Sequence, residues 1–383
     1  MLLQPLPGVA APGDWFSDDF ETGTLRASDS PPGRWDTSAV TSPNTFGVAE
    51  AGAHRGRHGL TVVDRSSTSG TQANAAVEQG TTLTSEVSVR TWMRIRGVSA
   101  IGTVVALQAM PVQVELRLQV PGPNWELAVR TGSGRTYASR HGSKLEVDRW
   151  YLVEFTARGL GTDAGEVRFW VDGVEQGAPL SRLDWRDTSH YVFNRLMVGE
   201  PWSDTGTFTG SIDFDDVRVS AAPMASRLEL QRPANAAASA GCLAVDVSLR
   251  NPGSGALAPA PYETDVALAV AGGEGGFHAD AACASPVASL RLPSGTSERR
   301  VYFRPVATEG KVSLRASHPD FLSATLDVDV EAGAGSDVTP DEDEGQGPWT
   351  TDLGCASVPG ALVALPVLLV PWLRRRRASR FQR

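Results

Sequence analysis

The sequence is almost without lysine: Lys144 and Lys311 are its two, so arginine supplies nearly all of the 35 basic side chains. That bias reads as the codon usage of a GC-rich genome. With a net charge of -9 there is no basic surplus to meet a phosphate backbone, which excludes a nucleic-acid partner. Recognisable catalytic signatures are missing too. There is no His-Glu-x-x-His zinc pattern and no Ser, His and Asp set in a known motif. There is also no Glu-x-Asp-x-Glu run to put two carboxylates at glycosidase spacing on one strand. The nearest acids, Glu146 with Asp148 and Asp213 with Asp215 and Asp216, lack the third member. His54, His58, His141, His190, His278 and His318 are scattered and read as solvated loop residues. No segment keeps a helical period, and one long apolar run stands near the C-terminus.

What is present is strand. "EVSVRTWMRI", "VQVELRLQV", "WELAVR", "WYLVEFTA" and "EVRFWVDG" alternate apolar with polar residues between Gly, Pro, Asp and Ser clusters. "VDGVE" places Asp172 and Gly173 in a two-residue hairpin turn. Spacing of this kind predicts an all-β sandwich or barrel, and the length allows two to three domains at roughly 150 residues each. Alternation sorts the faces. Val87, Val89, Thr91, Met93 and Ile95 share one, leaving Arg90, Trp92 and Arg94 on the other; Gln113, Glu115, Arg117 and Gln119 oppose their valines and leucines; Arg168 and Trp170 oppose Val167, Phe169 and Val171. Rings for stacking on pyranose faces beside Arg, Gln and Glu for hydroxyl groups make Trp92, Arg90, Arg94, Glu115, Arg117 and Trp170 the candidate glycan site. The other reading of Trp92 and Trp170 is that loops or a second domain cover them. Trp35, Trp125 and Trp150 fit the core.

Residues 14–221 resemble a concanavalin A-like jelly roll of the laminin G-like kind. The resemblance rests on "DDFETGTL" with Trp35 after it, "RWYLVEF" leading to "VRFWVDGVE", and the closing "GSIDFDDVRVS". It implies that "DWFSDDFE" and "IDFDDVRV" pair as first and last strands. It also implies a calcium ion near a rim, for which Asp19, Glu21, Asp215 and Asp216 are the candidate ligands and Arg218 the alternative counter-charge. The fold hosts lectins, adhesion modules and glycosidases alike, so it leaves function open.

Residues 226–331 form a second β unit. "RLEL", "CLAVDVSLRN", "DVALAV", "SLRLPSG", "RRVYFRP", "KVSLRAS" and "ATLDVDV" give roughly seven strands and resemble the Ig-like modules of bacterial surface proteins. Outside the cytoplasm Cys242 and Cys283 can pair, closing a loop of roughly forty residues for about 4 kcal/mol in the chain-entropy model; two buried thiols are the alternative. Residues 332–351, rich in Gly, Asp, Glu and Pro, read as an acidic flexible linker.

The chain closes at residues 352–383. No charge falls between 356 and 373, a stretch of about 18 residues that spans about 27 Å as a helix, enough to cross a bilayer despite Pro359, Pro366 and Pro371. Arg374, Arg375, Arg376 and Arg377 would then stay cytoplasmic. Gly354 and Cys355, the apolar segment and the arginine cluster, in that order, resemble the MYXO-CTERM sorting signal of myxobacterial surface proteins. The resemblance implies a sorting protease that removes the helix and leaves Cys355 as the attachment point. Residues 1–13 read as the remnant of a signal peptide.

These readings converge on an exported protein, anchored at the cell surface, whose jelly roll binds a glycan while the second sandwich acts as a spacer. A polysaccharide-active enzyme with acids drawn from separate strands, and a purely structural surface protein, are the alternatives.

Overall fold

The computed structural model describes residues 14–25, 35–65, 73–78, 86–98, 102–119, 124–131, 136–186, 193–201, 210–221, 224–233, 241–306 and 310–330. The leader over 1–13, the acidic linker, and the sorting signal with Gly354, Cys355, the 356–373 segment and Arg374 to Arg377 lie outside them. No helix among the described residues is long and apolar enough to cross a membrane.

Among the described residues sixteen strands build the first sandwich: β1 (Asp14–Asp18), β2 (Thr37–Val40), β3 (Thr45–Ala49), β4 (Gly59–Asp64), β5 (Ala73–Glu78), β6 (Glu86–Val98), β7 (Gly102–Ala109), β8 (Val112–Gln119), β9 (Asn124–Arg130), β10 (Thr136–Lys144), β11 (Trp150–Arg158), β12 (Gly165–Val171), β13 (Val174–Glu175), β14 (Leu180–Leu183), β15 (Arg195–Glu200) and β16 (Gly210–Ser220). The first sheet runs β13-β12-β11-β6-β16-β4-β3, with β1 on β16 and β14 on β12; the second runs β10-β9-β8-β7-β15-β5-β2. Opening and closing strands do pair: Phe16 stands opposite Val219 and Asp18 opposite Val217. The hairpin at Asp172 and Gly173 forms with both residues at positive φ, 48° and 71°, between the paired Val171 and Val174.

The core between the sheets follows the alternation. Val87, Val89, Met93 and Ile95 of β6 and Val167, Phe169 and Val171 of β12 point inward onto Trp125, Phe155 and Trp35. Each such large side chain contributes about 1.5–3 kcal/mol on leaving water. Trp150 departs from expectation: it starts β11 on the outer face, opposite Arg94, and Tyr151 takes the inward place.

Thr91, polar on an otherwise apolar face, has a specific partner. In β16 the register against β6 slips between Asp215 and Arg218, and Asp216 adopts φ 48°, so a β-bulge inserts an extra residue. The Thr91 hydroxyl donates to the Asp215 carbonyl at 3.0 Å. Replacing Thr91 by valine keeps the shape and strips that donor, so it is expected to cost about 1–2 kcal/mol in urea denaturation with an unchanged m-value. A loss below about 0.3 kcal/mol would mean the bulge holds without it.

The second sandwich has nine strands among the described residues: β17 (Arg227–Gln231), β18 (Leu243–Arg250), β19 (Thr264–Gly272), β20 (Gly275–His278), β21 (Pro286–Val287), β22 (Ser289–Leu292), β23 (Glu298–Pro305), β24 (Gly310–His318) and β25 (Phe321–Val330). The seven expected stretches all form strands; β20 and β21 are additional and pair through Phe277 and Val287. The order is β21-β20-β23-β18-β17-β25-β24-β19-β22. β17 joins β25 in parallel at Arg227 and Leu322, so the sheet wraps around Val245, Val247, Val301, Phe303 and Leu314. Cys242 and Cys283 form a disulfide with Cα atoms 6.0 Å apart.

Candidate functional site

The six candidate glycan residues do not share a face. Arg90, Trp92 and Arg94 on β6 and Trp170 on β12 point outward from the first sheet, whereas Glu115 and Arg117 on β8 point outward from the second, with the whole core between them. Alternation assigns a side chain to one face of its own strand but is silent on which strands share a sheet.

On the first sheet the tryptophans are covered, at 8% exposure for Trp92 and 2% for Trp170. Trp92 stacks on His54 with ring centroids 4.0 Å apart. Trp170 packs on Gly253 of the second sandwich so closely that a Cβ there would lie 2.7 Å from the indole. Arg90 is buried, donates to the Ala225 carbonyl and lies 5.6 Å over the Phe321 ring. Arg94 lies 4.8 Å over the Trp150 ring and joins Arg96 on the buried Asp213 carboxylate, at 2.9 and 2.6 Å. The second domain thus takes the surface on which a sugar was expected.

The acidic residues do gather, because β1 and β16 pair, but N–H donors of the 54–58 loop meet them. Glu21 accepts from the backbone of Arg57 at 2.8 Å and His58 at 2.9 Å. Asp19 accepts from the Glu21 N–H at 3.2 Å. Asp215 accepts from His54 at 2.8 Å and Arg55 at 3.2 Å, and Asp216 takes two guanidinium donors of Arg55 at 2.9 and 2.8 Å. Arg55 is thus the direct counter-charge, and Arg218 lies 5.0 Å over the Tyr262 ring. Among the described residues no three of His, Cys, Asp or Glu gather as a metal site. With their oxygens so engaged, Asp19, Glu21, Asp215 and Asp216 do not fit the six to eight oxygen ligands calcium takes.

Burial leaves several of these groups with unusual proton affinity. Burial and the neighbouring Asp216 charge push Asp215 up to about 8. Asp216 goes the other way: burial opposes its charge, but the Arg55, Arg218 and Arg90 guanidinium groups hold it below the ordinary carboxylate range. Burial raises Glu154 to about 7 against the pull of Arg90, and Asp18 to about 7. Burial and the Asp64 carboxyl raise Glu200 to about 9. These four carboxyls hold protons in the fold that the unfolded chain releases near pH 4, so their contribution is fully present at low pH and is lost as pH rises through 7 to 9. Burial lowers His54 and His318 to about 4, so their contribution is lost as pH falls from 6.5 towards 4. Stability should therefore fall as pH rises from 6 to 9, read from denaturant midpoints at three pH values; a flat profile would contradict the assignment.

The outer face of the second sheet is arranged differently. Cross-strand register lines up Met197, Ala106, Glu115 and Ala128 in a row across β15, β7, β8 and β9. Ala106 and Met197 contact each other apart from the main core. On one side runs a row of longer groups, Arg195, Gln108, Gln113 and Arg130; on the other, Thr103, Arg117 and Glu126. The middle row is buried, with Ala106, Glu115 and Ala128 at 1% exposure or less and Met197 at 4%, and spans four strands, about 14 Å at about 4.8 Å per strand. Arg117 fixes the charged row beside it, with Nε and Nη2 on Glu115 at 2.8 and 2.5 Å and Nη1 3.6 Å from Glu126. The Thr103 hydroxyl completes it by donating to Glu115 at 3.1 Å. Glu115 and Glu126 are buried although they face away from the core. Sequence reading found Glu115 and Arg117; Thr103 and Glu126 were missed, because they meet only through the registers of β7 and β9 on β8.

No curated protein matches the chain in sequence. Among solved structures, the chain is similar to an endo-β-1,4-glucuronan lyase from the fungus Trichoderma reesei, at 12% identity over 54% of this chain and 95% of that one, with TM-score 0.42. It is also similar to domain 4 of AbnA, a GH43 extracellular arabinanase from Geobacillus stearothermophilus in complex with arabinotriose, at 20% identity over 55% and 93%, TM-score 0.39. A third similarity, to the receptor-binding domain of botulinum neurotoxin type G, has 9% identity over 80% and 86%, TM-score 0.36. Residues 68–226 match the family model described as the concanavalin A-like lectin/glucanases superfamily.

Proposed function

We propose that the first sandwich binds a glycan on the outer face of its second sheet. The observation that carries this reading is the cross-strand set of Arg195, Gln113, Arg130 and Arg117 on that face, amide and guanidinium groups able to bond sugar hydroxyls above the buried Met197, Ala106 and Ala128. The superfamily match over residues 68–226 accords with it. Binding is favoured over hydrolysis because the Arg117 guanidinium bonds Glu115 and reaches Glu126, so both carboxyls are engaged with it rather than presented as an acid and base pair to a glycosidic bond.

The test is a glycan array followed by calorimetry on the full chain, with and without calcium, and with product analysis of any glycan bound. Gln113→Ala and Arg117→Gln are expected to weaken binding at least tenfold, about 1.4 kcal/mol, while Trp92→Ala on the opposite sheet leaves it unchanged. Loss on Trp92→Ala alone would return the site to the first sheet, and released sugar would make the protein an enzyme. The same proposal holds the chain exported and attached through Cys355 after sorting; mass spectrometry of the C-terminus recovered from cell envelopes tests that, and an intact arginine tail there would overturn it.

A further inference from the structure

The first sandwich presents three arginines, Arg55 of the 54–58 loop and Arg90 and Arg218 of its first sheet, towards the second sandwich, and Arg90 and Arg218 are nearly inaccessible. The turn between β24 and β25 answers them. Its Asp320 is 1% exposed, with one oxygen 2.8 Å from the Arg55 Nε that also donates to Asp216. Phe321, next in the chain, lies beneath Arg90, and Tyr262 beneath Arg218. Around this polar centre the fit is steric: Trp170 against Gly253, and Leu322 against the turn at Gly173, where a Cβ would lie 2.6 Å from its Cδ1. A spacer domain needs none of this. Two domains joined by a linker alone would keep water-facing charges on both surfaces, whereas a buried arginine is costly unless a fixed partner compensates it.

We propose that the second sandwich is a lock for the first rather than a spacer: Asp320 completes a buried charge network begun by Arg55 and Asp216, and the two sandwiches unfold as one cooperative unit. The inference stands independently of glycan binding. It places the concanavalin A-like domain under the control of a neighbour that the superfamily match ends just short of, at residue 226.

Calorimetry on the full chain tests it. The parent is expected to give one transition for both sandwiches. Asp320→Ala, and separately Gly253→Val, which wedges the joint without touching a charge, are each expected to lower the midpoint by about 6 °C or more, or to split the transition in two. Asp246→Ala, which removes the exposed partner of Arg300 on the far side of β18, serves as the control and is expected to shift it by about 1 °C. If Asp320→Ala prevents folding, Asp320→Asn, which keeps the shape and leaves Arg55 on Asp216, should recover at least half of the loss. Two separate transitions in the parent, or an Asp320→Ala shift no larger than the control, would overturn the proposal.

Discussion

Replacing Arg90 by alanine is expected to remove about 3–5 kcal/mol of stability, the cost of emptying a fully buried site of a large side chain together with its bond to Ala225 and its contact with Phe321. Arg90 is 1% exposed, stands opposite Glu154 across the β6 and β11 ladder, donates to Ala225 and covers Phe321. Glu154, itself buried, would lose the Arg90 charge that pulls its proton affinity down and would keep its proton to higher pH. The variant should therefore become more sensitive to alkali than the parent. Arg90→Met, which fills the space, should cost about 1–2 kcal/mol less than alanine, and adding Glu154→Gln to Arg90→Met should recover part of the remainder. Chemical denaturation at pH 6 and 8 checks each step. A loss below about 1 kcal/mol for Arg90→Ala would mean that water already reaches the joint.

Reducing the Cys242 to Cys283 disulfide, or replacing both residues by alanine, is expected to cost about 4 kcal/mol in the chain-entropy model for a sequence separation of 41. The bond ties the start of β18 to the loop before β21, a region otherwise held by the short β20 and β21 hairpin and the Asp280 turn, whose carboxylate accepts the N–H groups of Ala282, Ala284 and Ser285. The loss should appear first in the second sandwich. Because that domain is tied to the first through Asp320, the midpoint of the whole unit should fall with it. A reduced protein that melts within about 1 °C of the oxidised one would show that the crosslink restrains little in the unfolded chain.

The strands of both sandwiches were legible in the sequence because period-2 alternation is a local property of each segment. Val87 to Ile95 face the core as the pattern requires, and Asp172 and Gly173 turn where the hairpin chemistry predicts. Trp150 was misassigned because alternation gives a face only once the strand is anchored, and Tyr151 rather than Trp150 takes the inward register. The candidate site fared less well. Arg90, Trp92, Arg94 and Trp170 form a polar outer face, as read, but that face belongs to the other sheet from Glu115 and Arg117, and the second sandwich closes it.

By itself the sequence determined the all-β class, the inward residues of β6 and β12, and a cysteine pair able to bridge; the pairing of the first and last strands followed from the resemblance. Tertiary structure decided which strands are neighbours, and with that everything the function turns on. Thr103 and Glu126 reach Arg117 only through cross-strand register, Asp216 leaves the core side only because a bulge shifts β16, and Asp320 meets Arg55 across 265 residues of chain. Contacts of that kind follow from how whole sheets pack to bury their apolar faces, a requirement the composition states but no local segment can resolve.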